Sequence, residues 1–323
     1  MIRRPPRSTL SSSSAASDVY KRQFEGTWPF LPNFFDGNGF LMHYVDEGPR
    51  QANPIILLHG EPTWGYLYRK FIPELSKSYR VVVPDMMGFG KSETPQDKEY
   101  TLKTHVENLS SLIDYLKLTN ITFVGQDWGG PITAAYSIRN PNKVKSFVLI
   151  NTLFGYSKEE RPKNLSPWFQ WINKHYQDKT LDGILGELGS TLLSVMKIPN
   201  FTNNNIINDT WINAYSSQFP DRASCIGAIN FPLDALLNRI VPYIVEGIKQ
   251  GDLKSLCSKP AVLAYGMKDK AIEPDYAIRD FKALFPGSKV VEMPNAGHYS
   301  QEDEPELLIN LIKEFMTENE NKL

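Results

Sequence analysis

The stretch ITFVGQDWGGPITAAYSIRN, residues 121–140, reads as a β-branched run, a G-x-D-x-G turn and a helix in immediate succession. That order is the spacing of a nucleophile elbow, the strand-to-helix turn that lifts one side chain above the carboxyl edge of a sheet. Small residues at Gly125 and Gly129 let the backbone segments of such a turn approach closely. The residue lifted here is a carboxylate, Asp127. A serine in its place would need a histidine to remove its proton, whereas an aspartate is ionised at neutral pH and attacks unaided. An ether made by alkylating serine resists hydrolysis, but an alkyl-aspartyl ester does not. An aspartate elbow therefore suits displacement at saturated carbon and argues against ester or peptide hydrolysis. The competing view, a turn aspartate with capping duties, has to be weighed against the partners Asp127 finds.

Outward from the elbow, short β-branched runs bounded by turn residues alternate with longer stretches of helical spacing. The strand candidates are 39–48, 54–60, 79–85, 121–127, 144–152, 260–269 and 288–298. Residues 102–118 place Leu102, Val106, Leu109, Leu112, Ile113 and Leu116 on one helical face, and 305–316 do the same with Leu308, Leu311, Ile312 and Phe315. The alternation predicts an α/β fold, a mostly parallel central sheet flanked by helices. It breaks between about Leu153 and Pro242, where Trp168, Trp171, Trp211, several prolines and Asn-rich turns occupy a loosely helical stretch. Because β-rich runs resume at Pro260, we expect one sheet interrupted by an inserted helical cap. The division is core 24–152, cap 153–242 and core 243–323.

Two residues stand where aspartate-elbow chemistry needs partners. His298, in NAGHYSQEDEP (295–305), lies on the loop after the last strand and is the candidate general base. The other histidines fall in the first strand (His43), the HGEP loop (His59) and helical stretches (His105 and His175), where structural roles are expected. Asp269, in YGMKDK, ends the preceding strand and could orient the imidazole and stabilise its charged form. Glu273 and Asp275 sit nearer the helical stretch that follows and suit its N-terminus. The end of VLINT, an alternative site for the acid, offers only Asn151, Thr152 and Leu153. The loop HGEPTWGYLYR (59–69) follows a strand and should face the elbow. Its Glu61 backbone N–H and that of Trp128 are the expected oxyanion donors. An ionised Glu61 side chain would accept hydrogen bonds but not donate them.

The chain has 323 residues, 41% of them hydrophobic, enough for a large core, and 35 basic against 36 acidic residues leave a formal charge of −1. That balance gives no electrostatic case for nucleic acid or an anionic membrane, and no apolar run reaches the roughly 18 residues of a membrane span. Two cysteines, Cys225 and Cys257, are too few for a disulfide scaffold and lack zinc-ligand spacing. With no secretory signal evident, a cytoplasmic location is expected. The leader MIRRPPRSTLSSSSAASDVYKRQ (1–23) is Arg/Ser-rich and of low complexity. It looks like translated adapter sequence ahead of a real reading frame, with a transit peptide as the functional alternative, and is set aside from the fold.

From about Gly39 to the C-terminus, HGEPTW, PDMMGFGKS, VGQDWGG, FPDRASCIGAINFP, YGMKDK and NAGHYSQE together resemble the haloalkane dehalogenases of the α/β-hydrolase fold. HGEPTW with the aspartate elbow is specific; GFGKS is common to many hydrolases. The resemblance implies Asp127 as nucleophile, His298 as base and Asp269 as acid. It also implies two indoles that bind the departing halide. Trp128 fills the first role, and the spacing of the cap motif favours Trp171 for the second, with Trp168 where a relative carries a pocket-lining aromatic. Some dehalogenases use an Asn after the HG pair as second donor. Glu61 stands there in this chain, which therefore looks like those relying on a cap Trp. Phe231 and Pro232 are expected to line an apolar pocket. No metal or organic cofactor is implied, and the partners would be a small apolar halogenated substrate, water and halide, on a monomer. The nearest rival is an epoxide hydrolase, which shares the aspartate and histidine but needs cap acids, usually a tyrosine pair; Tyr176 and Tyr215 are the candidates. A cofactor-free oxygenase of the luciferase kind and a non-catalytic ligand sensor are more distant alternatives.

Overall fold

The computed structural model describes residues 23–320, so the leader lies outside the described residues except for Gln23. Eight strands form one sheet: β1 Asn33–Asp36, β2 Leu41–Glu47, β3 Pro54–Leu58, β4 Arg80–Pro84, β5 Ile121–Gln126, β6 Val144–Ile150, β7 Ala261–Gly266 and β8 Lys289–Met293. Their order across the sheet is β1-β2-β4-β3-β5-β6-β7-β8. The six from β3 to β8 run parallel, while β1 and β2 are antiparallel to their neighbours. All seven sequence-predicted strands are present. The eighth, β1, went unpredicted because NFFD is four residues of edge strand alternating between half-buried and exposed, with no run to detect. The central strands β3, β5 and β7 are buried at every position, as strands covered by helices on both faces must be.

Helices α1 Phe71–Leu75, α2 Leu102–Tyr115 and α3 Gly129–Arg139 lie within the first part of the sheet domain. The Thr101 side chain caps α2 by accepting the Thr104 N–H, and α2 buries Leu102, Val106, Leu109, Leu112 and Ile113. Leu116 follows the helix as its half-buried cap residue. Between β6 and β7 the chain makes no strand among the described residues. It forms instead α4 Pro167–Gln177, α5 Leu181–Leu185, α6 Leu188–Met196, α7 Asp209–Ser216, α8 Ile226–Leu236, α9 Val241–Gln250 and α10 Leu253–Cys257. The first five build the cap, whereas α9 and α10 pack back onto α3 beside the sheet. After β7 come α11 Pro274–Leu284, β8, the short α12 Ser300–Asp303 and α13 Pro305–Asn319. Strand order reverses at β3, flanked by β4 on one side and β5 on the other. In open α/β sheets the crevice beyond the strands' carboxyl ends at that reversal is the usual ligand site. Among the described residues no helix is long and apolar enough to cross a membrane.

One buried ion pair fastens three segments around that crevice. Arg69, after β3, makes two hydrogen bonds of 2.6 and 2.8 Å to the Glu302 carboxylate of α12. The Tyr215 hydroxyl of cap helix α7 donates to the same carboxylate at 2.6 Å. The Arg69 guanidinium also lies 4.3 Å from the centre of the Tyr66 ring. Removing one member strands the other's charge in a dry interior, which is far costlier than never having placed the pair. Glu302→Ala should lower unfolding free energy by about 3–5 kcal/mol in denaturant titrations, and Glu302→Gln, which keeps one acceptor oxygen but also strands the Arg69 charge, should recover only a minor part of that loss.

Candidate active site

Asp127 follows β5 with φ +49°, in the left-handed region that a sharp elbow requires. Its backbone is held from three sides: its N–H donates to Asn151 O at 3.3 Å, Gly130 N–H donates to its carbonyl at 3.1 Å, and the Thr152 hydroxyl donates to that same carbonyl. Close approach explains the neighbouring glycines. A Cβ on Gly129 would lie 2.4 Å from Leu58 O, and one on Gly60 would lie 2.2 Å from the Asp127 Oδ1 itself. The HG pair and the elbow thus leave room for one carboxylate between them.

Both oxygens of that carboxylate are engaged. Oδ1 accepts the Glu61 backbone N–H at 2.8 Å, and Oδ2 lies 3.3 Å from His298 Nε2. The other face of the imidazole, Nδ1, is 2.9 Å from Asp269 Oδ2. Asp269 is itself saturated: its Oδ1 accepts the Ala271 and Ile272 N–H groups at 2.7 and 3.1 Å, and Oδ2 also accepts Asn151 Nδ2 at 2.9 Å. Asn151 Oδ1 takes the Gly266 N–H at 3.0 Å and the Ser300 hydroxyl. Asn151, set aside at the end of VLINT because it is no carboxylate, stands behind the acid and fixes its orientation. Glu273 and Asp275 serve α11, one as its N-cap residue and the other in its first turn. His43 pairs with Asp85 at 2.8 Å, His59 Nε2 accepts the Met86 N–H at 3.0 Å, His105 is buried in α2, and His175 bonds to Thr180 on the cap.

Burial alone would disfavour a charged imidazole at His298, but Asp269 and Asp127 outweigh it and raise its pKa to about 10. Glu61 departs from expectation. Its side chain is buried, its Oε1 has no partner among the described residues, and burial together with the Asp127 charge pushes its pKa well above the carboxylate range, with His298 pulling the other way. Burial and the Asp127 charge thus both favour its protonated form, which could donate as well as accept, over the ionised acceptor that its identity alone suggests.

Above these groups lies a cavity of about 140 Å³ with a largely apolar wall. Asp127, Glu61, His298 and Tyr299 form its polar end, and Trp128, Leu153, Pro131, Trp168, Phe169, Pro232, Ile240 and Ile272 are among the rest. Two residues expected at the site lie outside the residues that line this cavity. Trp171 is not in the wall: the buried stripe of α4 runs through Trp168 and Ile172, and Trp171 is half-buried, stacked on Trp168 with ring centres 5.4 Å apart and planes 12° from parallel. Phe231 is not in the wall either. It is fully buried behind Trp128, stacked on that indole at 4.5 Å, while its neighbour Pro232 reaches the cavity. Of the tyrosines that an epoxide-opening site would need, Tyr215 donates its hydroxyl to Glu302 and Tyr176 is exposed; neither lines the cavity.

The family model for the alpha/beta hydrolase fold matches residues 53–305. Haloalkane dehalogenase 2 of Mycobacterium tuberculosis is 33% identical over 89% of this chain and 95% of its own length. A cis-3-alkyl-4-alkyloxetan-2-one decarboxylase of Shewanella oneidensis is 30% identical over 90% of each chain. Among solved structures, the tetrameric haloalkane dehalogenase DpaA from Paraglaciecola agarilytica is 28% identical and superposes with a TM-score of 0.70 over 90% of this chain and 95% of its own.

The His298 geometry makes a pH signature. Its folded pKa, about 10, lies above the ordinary 6.5, so the ion pairing contributes in full below about pH 6.5 and is lost as pH rises through about 10. Denaturant unfolding across that window should show wild-type stability declining with pH, and His298→Gln should lack that component of the decline.

Proposed function

The chain belongs to the α/β-hydrolase fold family, among the haloalkane dehalogenases and their relatives, and on that premise we propose that it hydrolyses the carbon–halogen bond of a small apolar haloalkane through a covalent ester at Asp127. The observation that carries this reading is the line Asp127–His298–Asp269, with Glu61 N–H on the nucleophile, beneath an apolar cavity walled by two indoles. An Asp127 oxygen attacks the halogen-bearing carbon, and the halide leaves with the bonding pair. Trp128 donates its indole N–H to the departing anion. Trp168 is the second donor in preference to Trp171, because it is the one in the cavity wall. An indole N–H suits this task, since it donates without a competing acceptor or proton transfer.

Alkylation turns a carboxylate into a neutral ester and so removes one of the two charges that hold a proton on His298. The imidazole then gives up its proton to solvent and becomes a base for the second half-reaction. It deprotonates a water that attacks the ester carbonyl; Asp269 stabilises the returning imidazolium, and the Glu61 and Trp128 backbone N–H groups face the developing oxyanion. Alcohol, halide and one proton are the products. Epoxide opening fits less well, because the cavity wall offers no tyrosine pair to protonate an alkoxide.

The Shewanella relative supports a second reading, in which an Asp127 oxygen displaces the ring oxygen at C4 of a cis-3,4-dialkyl oxetan-2-one, and loss of carbon dioxide from the freed carboxylate then expels Asp127 as a carboxylate and leaves an alkene. Residues 24–323 incubated with 1-bromobutane and 1,2-dibromoethane should release halide and acid, and Asp127→Ala should release none. His298→Gln should give a stoichiometric halide burst and an alkylated Asp127 peptide by mass spectrometry. Silence on both haloalkanes, with alkene formed from the oxetanone, would transfer the site to the second reading.

A further inference from the structure

The loop that carries His298 is not held by the sheet alone. Residues 199–203, in the cap between α6 and α7, run against both the acid and the base loops. On the acid side, Lys270 N–H donates to Pro199 O at 2.9 Å, and Asn200 Nδ2 donates to Lys268 O at 2.9 Å. On the base side, His298 N–H donates to Asn200 O at 2.7 Å, and the Thr202 hydroxyl donates to Asn295 O at 2.6 Å. The fit is tight enough that a Cβ on Gly297 would lie 2.5 Å from Asn200 O. One side chain closes the assembly. Asp303 Oδ1 accepts the Thr202 and Asn203 N–H groups, both at 2.8 Å, and its Oδ2 accepts the Gly297 N–H at 2.7 Å.

We propose that Asp303 is a positioning residue: by joining Gly297 to the cap segment 199–203 it sets the His298 imidazole on the axis between Asp127 and Asp269. A carboxylate is required because donors approach both of its oxygens. An asparagine keeps one acceptor and presents an N–H where the other donor points. Misplacing a base by about 1 Å costs on the order of 10²-fold in rate. The proposal rests on the dehalogenase reading for its kinetics, and those kinetics are selective. Alkylation of Asp127 does not use His298, whereas hydrolysis of the ester does, so loss of Asp303 slows the second half-reaction alone.

The test compares wild type, Asp303→Asn and Thr202→Val by rapid-quench mass spectrometry with 1,2-dibromoethane. Asp303→Asn should keep its alkylation rate within about twofold, slow ester decay about tenfold or more, and lower kcat and KM together. Thr202→Val, which removes only the bond to Asn295 O, should shift ester decay in the same direction by less. It decides the matter if Asp303→Asn does not fold, and unchanged decay then overturns the proposal. A variant that melts like wild type yet loses alkylation and ester decay equally also overturns it. Hydrogen exchange separates this from failure of the dehalogenase reading. If wild type releases no halide, faster exchange in Asp303→Asn in peptides covering both 199–203 and 294–299 sustains the linkage, and unchanged exchange there removes it.

Discussion

His298 is held between two carboxylates, 3.3 Å from Asp127 on one side of its ring and 2.9 Å from Asp269 on the other. The rest of the site can be understood as support for that contact. Asp269 lets the imidazole carry its proton despite burial, Asn151 holds Asp269, and Gly60 leaves the space into which the nucleophile turns. Glu61 bears on the same contact: a second negative charge beside Asp127 would compete for the same imidazole, and burial disfavours that charge.

Much of the sheet was legible because buried parallel strands write themselves as uninterrupted apolar runs bounded by turns, as PIILL and ITFVG do. The turn that carries Asp127 was legible for a similar reason, since the elbow compresses its geometry into five consecutive residues. Depth and contact were not. Trp168 and Trp171 lie one turn apart on the same helix, so spacing gives both nearly the same direction, and only the packing of α4 decides which reaches the cavity. The upward push on the Glu61 pKa comes from burial, which the identity of a residue does not state. Asn151 was passed over because the search was for a carboxylate, when the position had become a partner of one. Asp303 is six residues from one partner, Gly297, but the other two, Thr202 and Asn203, lie about a hundred residues away, and the link to the cap is not written locally.

The cap is joined to the core by polar contacts as much as by apolar packing. Trp64 Nε1 donates to Ala214 O at 2.8 Å, the Ser166 hydroxyl to Ala271 O at 2.6 Å, and Trp168 N–H to Lys270 O at 3.0 Å. With the Arg69–Glu302–Tyr215 group, these attachments converge on the loops after β3, β7 and β8, the three that carry Glu61, Asp269 and His298. The roof of the cavity and the alignment of Asp127, His298 and Asp269 are consequently supported by the same bonds.

That shared support bears on how this scaffold diversifies. A lid attached only by greasy contact could be exchanged wholesale between homologues as a module, each new lid bringing a new specificity. Here an exchanged lid would have to bring matching donors and acceptors for the loops beneath it, or the histidine would drift. Change in substrate range is therefore channelled toward single replacements of side chains that face the cavity without holding the loops, such as Leu153, Pro232 and Ile240. Lineages sharing this attachment should differ in the lining of the chamber more than in the path of the chain that roofs it.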